Sequence, residues 1–438
     1  MKKLIKKILG KKILSAYHLT LALLAAFIYG QPSRKLKVIG ITGTSGKSST
    51  CEILVSILEE AGLKVGLAST VRFQVANKSW MNAEKMTMVG RFKLQKLLRQ
   101  MVLAGCQYAL IEVTSEGILQ HRQRGIQFDL ACFTNLYPEH IESHGSFDKY
   151  KNTKLKLFKG LAKSDKRPTI IVANLDDKYA VEFLAAEADK KIGFTLSDTP
   201  STGSSELEVI AGRDARSYKE GISFKIDSSE FKAKLLGEHN VYNSLSAIAM
   251  AQSLGIDFKV SQAGLTKMKG LPGRIEFIET GQPFKVIVDY AFEPKAMQKL
   301  YDVVKDLKSL RSGKIIQVLG STGGGRDKSR REVLGKMSGE FCDYVVVTDE
   351  DPYDEDPEVI IDSVIAGAKQ AGKELDKDLF KELDRRDGIA KGLFLAKPGD
   401  IVLVTGKGSE QAMVTAKGKI GWDDRKVVRE ELKKLKKI

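Results

Sequence analysis

The residues best suited to chemistry stand together at Gly43-Thr44-Ser45-Gly46-Lys47-Ser48-Ser49. A glycine-rich turn between a strand and a helix points backbone N–H groups and a helix N-terminus at phosphate oxygens. In such a turn a lysine neutralises the β- and γ-phosphates of a nucleotide, and the hydroxyl after it can ligate Mg2+. Lys47 and Ser48 hold those places. The spacing departs from the general phosphate-loop pattern, whose first glycine would fall at Ile41.

The elements that must position this loop are legible around it. Leu36–Thr42 reads as a buried strand entering the glycines, and Ser48–Ala61 as a helix with Ile53, Leu54, Ile57 and Leu58 on one face. Further strands are expected at Tyr108–Val113, Leu130–Thr134 and Thr169–Ala173, and a helix from Gly237 to Leu254. Between them, a Ser/Thr/Gly-rich stretch from Ser197 to Ser205 introduces shorter alternating segments of antiparallel type or an insertion. A second series begins near Lys285, with strands Lys285–Asp289, Lys314–Leu319, Tyr344–Thr348 and Asp400–Thr405. Its helices are Pro294–Lys308, Arg330–Glu340 and Pro357–Ala371. The alternation predicts an α/β protein: a central P-loop-type ATPase domain on a parallel sheet, then a C-terminal Rossmann-like α/β domain. The turn-prone Leu271-Pro272-Gly273 marks the boundary, giving segments 1–33, 34–271 and 272–438.

The shortened loop, read with several signatures in order, resembles the Mur ligase family, nearest to the MurE type that adds the third residue of the peptidoglycan stem peptide. The signatures begin with Glu112-Val113-Thr114-Ser115-Glu116-Gly117 with Arg122, Phe133 to His140, Ser143-His144-Gly145, and Tyr150 with Lys154 and Leu157-Phe158. They continue through Gly237-Glu238-His239-Asn240 with Asn243, Gly273-Arg274-Ile275-Glu276 and Asp289-Tyr290-Ala291. Gly323 to Lys328, Asp384-Arg385, Gly406 to Glu410 and Asp423-Asp424-Arg425 complete the series.

The resemblance implies ATP as cosubstrate and two Mg2+ sites. Ser48 and Glu112 would serve the first metal; His140 and a carbamylated Lys154 would serve the second, carbamylation turning an ammonium into the anion a hard cation needs. Gly43, Thr44, Ser45, Gly46, Lys47, Ser48 and Ser49 would cradle the phosphates, Asn240 and Asn243 would pair with adenine or cap their helix, and Asp289 would take the ribose hydroxyls. Arg274 would reach the γ-phosphate when the C-terminal domain closes on the central one. Lys47, Glu112, His140, Lys154 and Arg274 form the implied catalytic set. A substrate carboxylate would attack the γ-phosphorus, and an amino acid's amine would displace phosphate from the acyl phosphate. Substrate contacts fall on Thr87, Met88, Thr114, Ser115, Arg122, Asp351, Tyr353, Gly406 and Glu410, while His144 is expected to make a structural or substrate-side hydrogen bond.

Three departures qualify the resemblance. The family's N-terminal UDP-binding domain has no counterpart before the loop, and Val89 stands where the Thr87-Met88 stretch would carry proline. Tyr353 replaces the arginine that pairs with a distal carboxylate in diaminopimelate-adding enzymes, so Asp351, Glu355 and Glu410 are expected to make an acidic pocket for an amine-ended side chain, or Asp351 and Glu355 to cap a helix. Phe292-Glu293 and Glu116 replace other family residues.

At 438 residues, 42% hydrophobic and 29% charged, the chain has the composition of a soluble protein of two or three domains. Its net charge of +16 is uneven: residues 1–37 hold nine Lys or Arg and no acid, which leaves +7 for the rest. That balance fits an enzyme of anionic small molecules and excludes a nucleic-acid binder, since no basic recognition helix or aromatic RNA signature stands out. Cys51, Cys106, Cys132 and Cys342 are scattered, so no zinc ribbon or disulfide framework is expected. Six lysines between Lys2 and Lys12 precede the apolar stretch Leu19–Tyr29, which reads either as a helix docked on the body or as an interfacial helix drawn to anionic lipid.

The partners expected are thus a muramoyl-dipeptide precursor and an amino acid, handled by a cytoplasmic monomer with peripheral membrane contact through residues 1–30. Competing readings are a lipid II amidotransferase subunit, which typically carries a four-cysteine zinc insertion, and a folylpolyglutamate-type γ-glutamyl ligase.

Overall fold

Strand Lys37–Thr42 (β1) is buried on both faces from Val38 onward, which is what a central parallel strand covered by helices on both sides requires, and it runs directly into Gly43. In the computed structural model, which describes residues 10–138, 144–198, 207–308, 313–325 and 327–435, the described chain clusters into two compact units. The first holds most of the chain up to Met268 and the second essentially everything from Lys269.

The first unit is built on Val65–Ala68 (β2), Arg72–Val75 (β3), Lys78–Met81 (β4), Tyr108–Glu112 (β5), Leu130–Phe133 (β6), Ile170–Asn174 (β7), Lys190–Thr195 (β8), Glu208–Tyr218 (β9), Gly221–Ile226 (β10) and Ser229–Ala233 (β11) together with β1. Their order is β11-β10-β9-β8-β7-β6-β1-β5-β2-β3-β4. The middle of this sheet is parallel, with β1 between β5 and β6, and Ile41 faces Glu112 on one side and Cys132 on the other. All the loops of interest therefore leave the carboxyl edge together, where open α/β sheets bind ligands. One face packs Leu94, Leu98, Met101, Leu157 and Phe158, from helices Arg91–Leu103 and Phe147–Leu161. Helices Lys47–Glu60 and His239–Ser253, both densely buried, also belong to this unit. The antiparallel segments expected after Ser197 are the β10–β11 hairpin.

The N-terminal helix Lys11–Ile28 is docked on this unit through its inner face. Ala22, Ala25 and Ala26 are buried, and the Cβ that Gly125 lacks would strike Ala26. Ser15 Oγ lies 2.8 Å from His121 Nε2, and Arg91 Nη2 lies 3.0 Å from His18 Nδ1. No helix among the described residues is long and apolar enough to cross a membrane.

The second unit carries Glu276–Phe277 (β12), Lys285–Asp289 (β13), Ile315–Leu319 (β14), Tyr344–Thr348 (β15), Leu379–Glu382 (β16) and Ile401–Thr405 (β17), ordered β12-β13-β17-β14-β15-β16. Only β12 runs antiparallel. The α/β class, with a parallel-core sheet and a second Rossmann-like sheet, is as the sequence predicts. A small hairpin, Ala412–Thr415 (β18) and Gly418–Gly421 (β19), was not anticipated.

Candidate active site

The loop after β1 turns into helix Lys47–Glu60 through Gly46, which sits at φ 81°. A side chain is strained there, and a Cβ would also collide with Asn243 Oδ1. The helix N-terminus has no side-chain cap and no acid in its first turn. Its N–H groups and the positive end of its dipole are left for an anion. Lys47 Nζ folds back to donate to the carbonyls of Gly43 (3.1 Å) and Thr44 (2.8 Å). The loop is braced from the end of β6: Asn135 Oδ1 accepts from Ser45 N at 2.9 Å, and Thr134 Oγ1 donates to Ser45 O at 2.8 Å. Ser49 is buried in the first turn of the helix, behind these contacts.

Glu112, at the carboxyl end of β5, meets the loop directly. Its Oε2 accepts from Ser48 Oγ at 2.9 Å, from Thr70 N at 2.8 Å and from Thr70 Oγ1 at 2.9 Å. Thr70 in turn lies 2.8 Å from the Thr87 hydroxyl, so Thr87 joins the site through a residue that sequence reasoning did not single out. Met88 is different. Its side chain is 2% exposed and packs in the core, so it offers a substrate only backbone. Arg122 is buried and donates to the Met88 carbonyl and to Gln120 Oε1 (2.7 Å), which locks the 86–88 segment in place. Thr114 caps the short helix Ser115–Leu119 by accepting from Gly117 N, and Ser115 Oγ lies 3.1 Å from His144 Nε2. His144 also sets its ring against Tyr150 at 5.2 Å.

Lys154 reaches the same loop from helix Phe147–Leu161. It is 2% exposed, its Nζ donates to Gly43 O at 2.8 Å, and it stands 4.6 Å from the Tyr150 ring centroid. Two ammonium groups, Lys47 and Lys154, therefore converge on one carbonyl. Converting Lys154 to a carbamate would replace a like-charge neighbour of Lys47 with an opposite one. His140 lies outside the described residues. Among those described, no cluster of three or more His, Cys, Asp or Glu could hold a metal ion. The Ser48–Glu112 pair is the available hard-oxygen donor set, and Mg2+ ordinarily takes one or two carboxylates plus phosphate oxygens.

Asn240 and Asn243 are buried on the first turns of helix His239–Ser253, with Asn243 Nδ2 donating to Asn240 Oδ1 at 2.8 Å. The N-cap is Glu238, without a side-chain cap bond, so neither asparagine caps the helix. Asn243 instead rests against Gly46.

In the second unit Asp289 is buried and holds two backbone amides, Ile275 N and Ala291 N, each at 2.7 Å. Burial raises its carboxyl above the ordinary value. It thereby fixes the turn carrying Arg274, whose guanidinium lies over Tyr290 at 4.2 Å from the ring centroid.

The acidic pocket expected around Asp351, Glu355 and Glu410 is already neutralised from within. Lys407, fully buried, puts its Nζ 2.8 Å from Asp351 Oδ2 and 2.8 Å from Glu410 Oε2. Glu355 bonds Arg331 at 2.9 Å and Lys328 at 3.2 Å, and the Arg331 hydrogen bond holds its carboxyl near 2. Asp351 and Glu355 cap no helix here; Asp356 caps Pro357–Gln370. Tyr353, at φ 57°, donates its N–H to Val414 O and sets its ring against Gly324. Gly406 sits at φ 107°, where a Cβ would collide with Glu350 Oε2. Glu350 is buried, that oxygen has no hydrogen-bond partner, and burial pushes its carboxyl up to about 7.

Residues 41–251 match the family model described as the Mur ligase middle domain, and residues 273–408 the one described as Mur ligase, glutamate ligase domain. The chain is 36% identical over 427 residues to the UDP-N-acetylmuramyl-tripeptide synthetase of Roseiflexus sp. (strain RS-1), covering 95% of this chain and 82% of that protein. It is 33% identical over 421 residues to the UDP-N-acetylmuramoyl-L-alanyl-D-glutamate--2,6-diaminopimelate ligase of Clostridium tetani (strain Massachusetts / E88), covering 95% and 81%. A solved structure of a ligase with that same name superposes with a TM-score of 0.58 at 26% identity over 92% of this chain and 79% of the other. The MurF ligase of Thermotoga maritima, solved with ADP, shares the fold with a TM-score of 0.62 at 20% identity, covering 96% and 83%.

Proposed function

The chain belongs to the Mur ligase family, and from that premise we propose that it adds an amino acid to a muramoyl-dipeptide precursor as the third residue of a peptidoglycan stem peptide. It is an ATP-dependent acid–amino-acid ligase. The observation that carries the proposal is the meeting of Ser48 and Glu112 at 2.9 Å beside an uncapped helix N-terminus bearing Lys47.

In this reading the amides of residues 43–49 and the Lys47 ammonium take the triphosphate, Lys47 leaving the Gly43 and Thr44 carbonyls to do so. Ser48 and Glu112 would hold Mg2+, which when bound offsets the charge of carboxylate meeting triphosphate. For a second Mg2+ the donors are His140 and Lys154 as its carbamate. Asn240 and Asn243, beside Gly46, serve the adenine; Arg274 and Asp289 are the second unit's contribution to the nucleotide. The chain supplies placement and charge: the substrate carboxylate attacks the γ-phosphorus, and the amine then displaces phosphate from the acyl carbon. Thr87, Thr114, Ser115 and Arg122 frame the acceptor, and Asp351, Tyr353, Gly406 and Glu410 the incoming amino acid.

Residues 34–271 and 272–438 are the proposed catalytic domains of a cytoplasmic monomer. The helix Lys11–Ile28 touches the inner face of the membrane, supported by exposed Ile13, Tyr17, Leu24 and Phe27. The test is phosphate release from ATP-Mg2+ by the purified chain with UDP-MurNAc-L-Ala-D-Glu and single amino acids. Turnover dependent on one amino acid supports the reading; turnover only with lipid-linked acceptors overturns it.

A further inference from the structure

A cavity of about 340 Å3 opens beside the N-terminal helix, lined by Leu23, Arg34, Gln123, Arg124, Lys156 and Lys163 among others. It belongs to none of the machinery above. Lys156 lies two residues from Lys154 on one helix, so the two side chains leave it roughly 200° apart. Arg124, Lys156 and Lys163 form no ion pair among the described residues, and Arg34 meets only the exposed Asp165, at 3.5 Å. Four cations thus face one cavity with a single carboxylate at its rim. Deeper in the wall Gln123 is 7% exposed, and its Oε1 has no hydrogen-bond partner. The site asks for a ligand with a dispersed negative charge and a hydroxyl that can donate to Gln123.

The helix beside it says where such a ligand comes from. Ile13, Tyr17, Leu23, Leu24, Phe27 and Ile28 are all exposed, Phe27 at 74%. With Ala16 and Thr20 they fill an arc of roughly 140° on a 3.6-residue helix, an apolar face turned away from the body. In sequence, residues 1–37 hold nine basic side chains and no acid. An exposed apolar helix face beside a cavity lined by Arg34, Arg124, Lys156 and Lys163 is complementary to an anionic bilayer surface.

We propose that this cavity takes the phosphodiester headgroup of an anionic phospholipid carrying a free hydroxyl, while the outer face of the helix enters the acyl boundary beside it. The phosphate lies among Arg34, Arg124, Lys156 and Lys163, the headgroup hydroxyl donates to Gln123 Oε1, and Leu23 marks where headgroup gives way to acyl chain. The inference rests on the proposed membrane contact of helix Lys11–Ile28 and adds to it a specific lipid site.

The experiment uses the full chain and two readouts. In co-sedimentation, vesicles with roughly a third phosphatidylglycerol should bind at least about 10-fold more tightly than pure phosphatidylcholine. The double variant Arg124→Gln/Lys163→Gln should lose at least about 10-fold of that binding, while the charge-matched Lys64→Gln/Lys259→Gln, outside the cavity, should lose less than about 3-fold. Without vesicles, glycerophosphoglycerol should show 31P line broadening with the native chain and none with the cavity variant. Equal losses from the two double variants overturn the site and leave the membrane contact standing. Equal broadening of inorganic phosphate reveals a plain ion site and overturns the lipid assignment. No binding to either vesicle, or a concentration-dependent dimer abolished by Phe27→Ser, removes the membrane contact and the site with it.

Discussion

Replacing Glu350 by glutamine should flatten the pH dependence of the second unit's stability near neutrality. Glu350 is fully enclosed between Gly406 and the Arg385 region, and one of its oxygens has no partner. Burial pushes its carboxyl from an ordinary 4.5 to about 7. Between those values the fold retains a proton that the unfolded chain has released. Stability therefore falls as pH rises through this window, and the full cost is present above it. A gap of about 2.5 pH units at about 1.4 kcal/mol each amounts to roughly 3 kcal/mol. Asp349, pushed by burial to about 6, adds a loss of the same sign that the substitution leaves in place. Urea unfolding followed by Trp422, in a Trp80→Phe background so that only the second unit reports, measures the effect at roughly pH 5 and pH 8. Because pH 5 already lies inside the window, the native chain should lose roughly 2.5 kcal/mol more than the variant across that interval. Parallel losses, within about 0.5 kcal/mol, would refute the argument that the buried carboxylate is uncompensated.

Lys47→Ala removes the cation that meets the phosphates and should cut ATP-dependent phosphate release by roughly 10²–10³-fold or more, read in the coupled assay with all substrates saturating. Glu112→Gln keeps the shape that accepts from Ser48 and Thr70 but loses the charge. The Mg2+ concentration for half-maximal rate should rise at least about 10-fold, and an unchanged requirement would remove Glu112 from the metal. Lys154→Ala should abolish turnover and regain part of it with short carboxylic acids such as formate or acetate; full activity without them excludes the carbamate. Lys407→Met strips the buried Asp351 and Glu410 of their shared cation and should destabilise the second unit by about 3–5 kcal/mol in the same urea assay. Adding Asp351→Asn should return much of that, and a second loss of similar size would show the pair was not coupled.

The range of the forces involved sets how much of the fold is legible in the sequence. The strands of both sheets announced themselves because parallel strands covered on both faces need unbroken apolar runs, as in Val286–Val288 and Val345–Val347. The phosphate loop was legible because glycine conformation, helix start and lysine lie within seven neighbouring residues, Gly43–Ser49. Its accessories were not all so marked. Glu112 and Lys154 were found through motif resemblance, whereas Thr70, which ties Glu112 to Thr87, carries no local signal; pairing of β2 and β1 with β5 brings it there.

Tertiary structure decided the points where two readings shared one sequence. Met88 lies in a segment that reads as a substrate contact, yet its side chain fills the core because Gly117 leaves room for it. Asp351, Glu355 and Glu410 look like a pocket for a cation when read as acids alone. Lys407, Arg331 and Lys328 occupy them, a pairing set by chain folding and the cost of burying charge unpaired. The N-terminal helix shows the same division. Its apolar stretch and its lysines are properties of sequence. Which arc docks against Gly125 and which arc is exposed is a matter of packing, because only small residues fit the inner contact and the larger ones are turned outward.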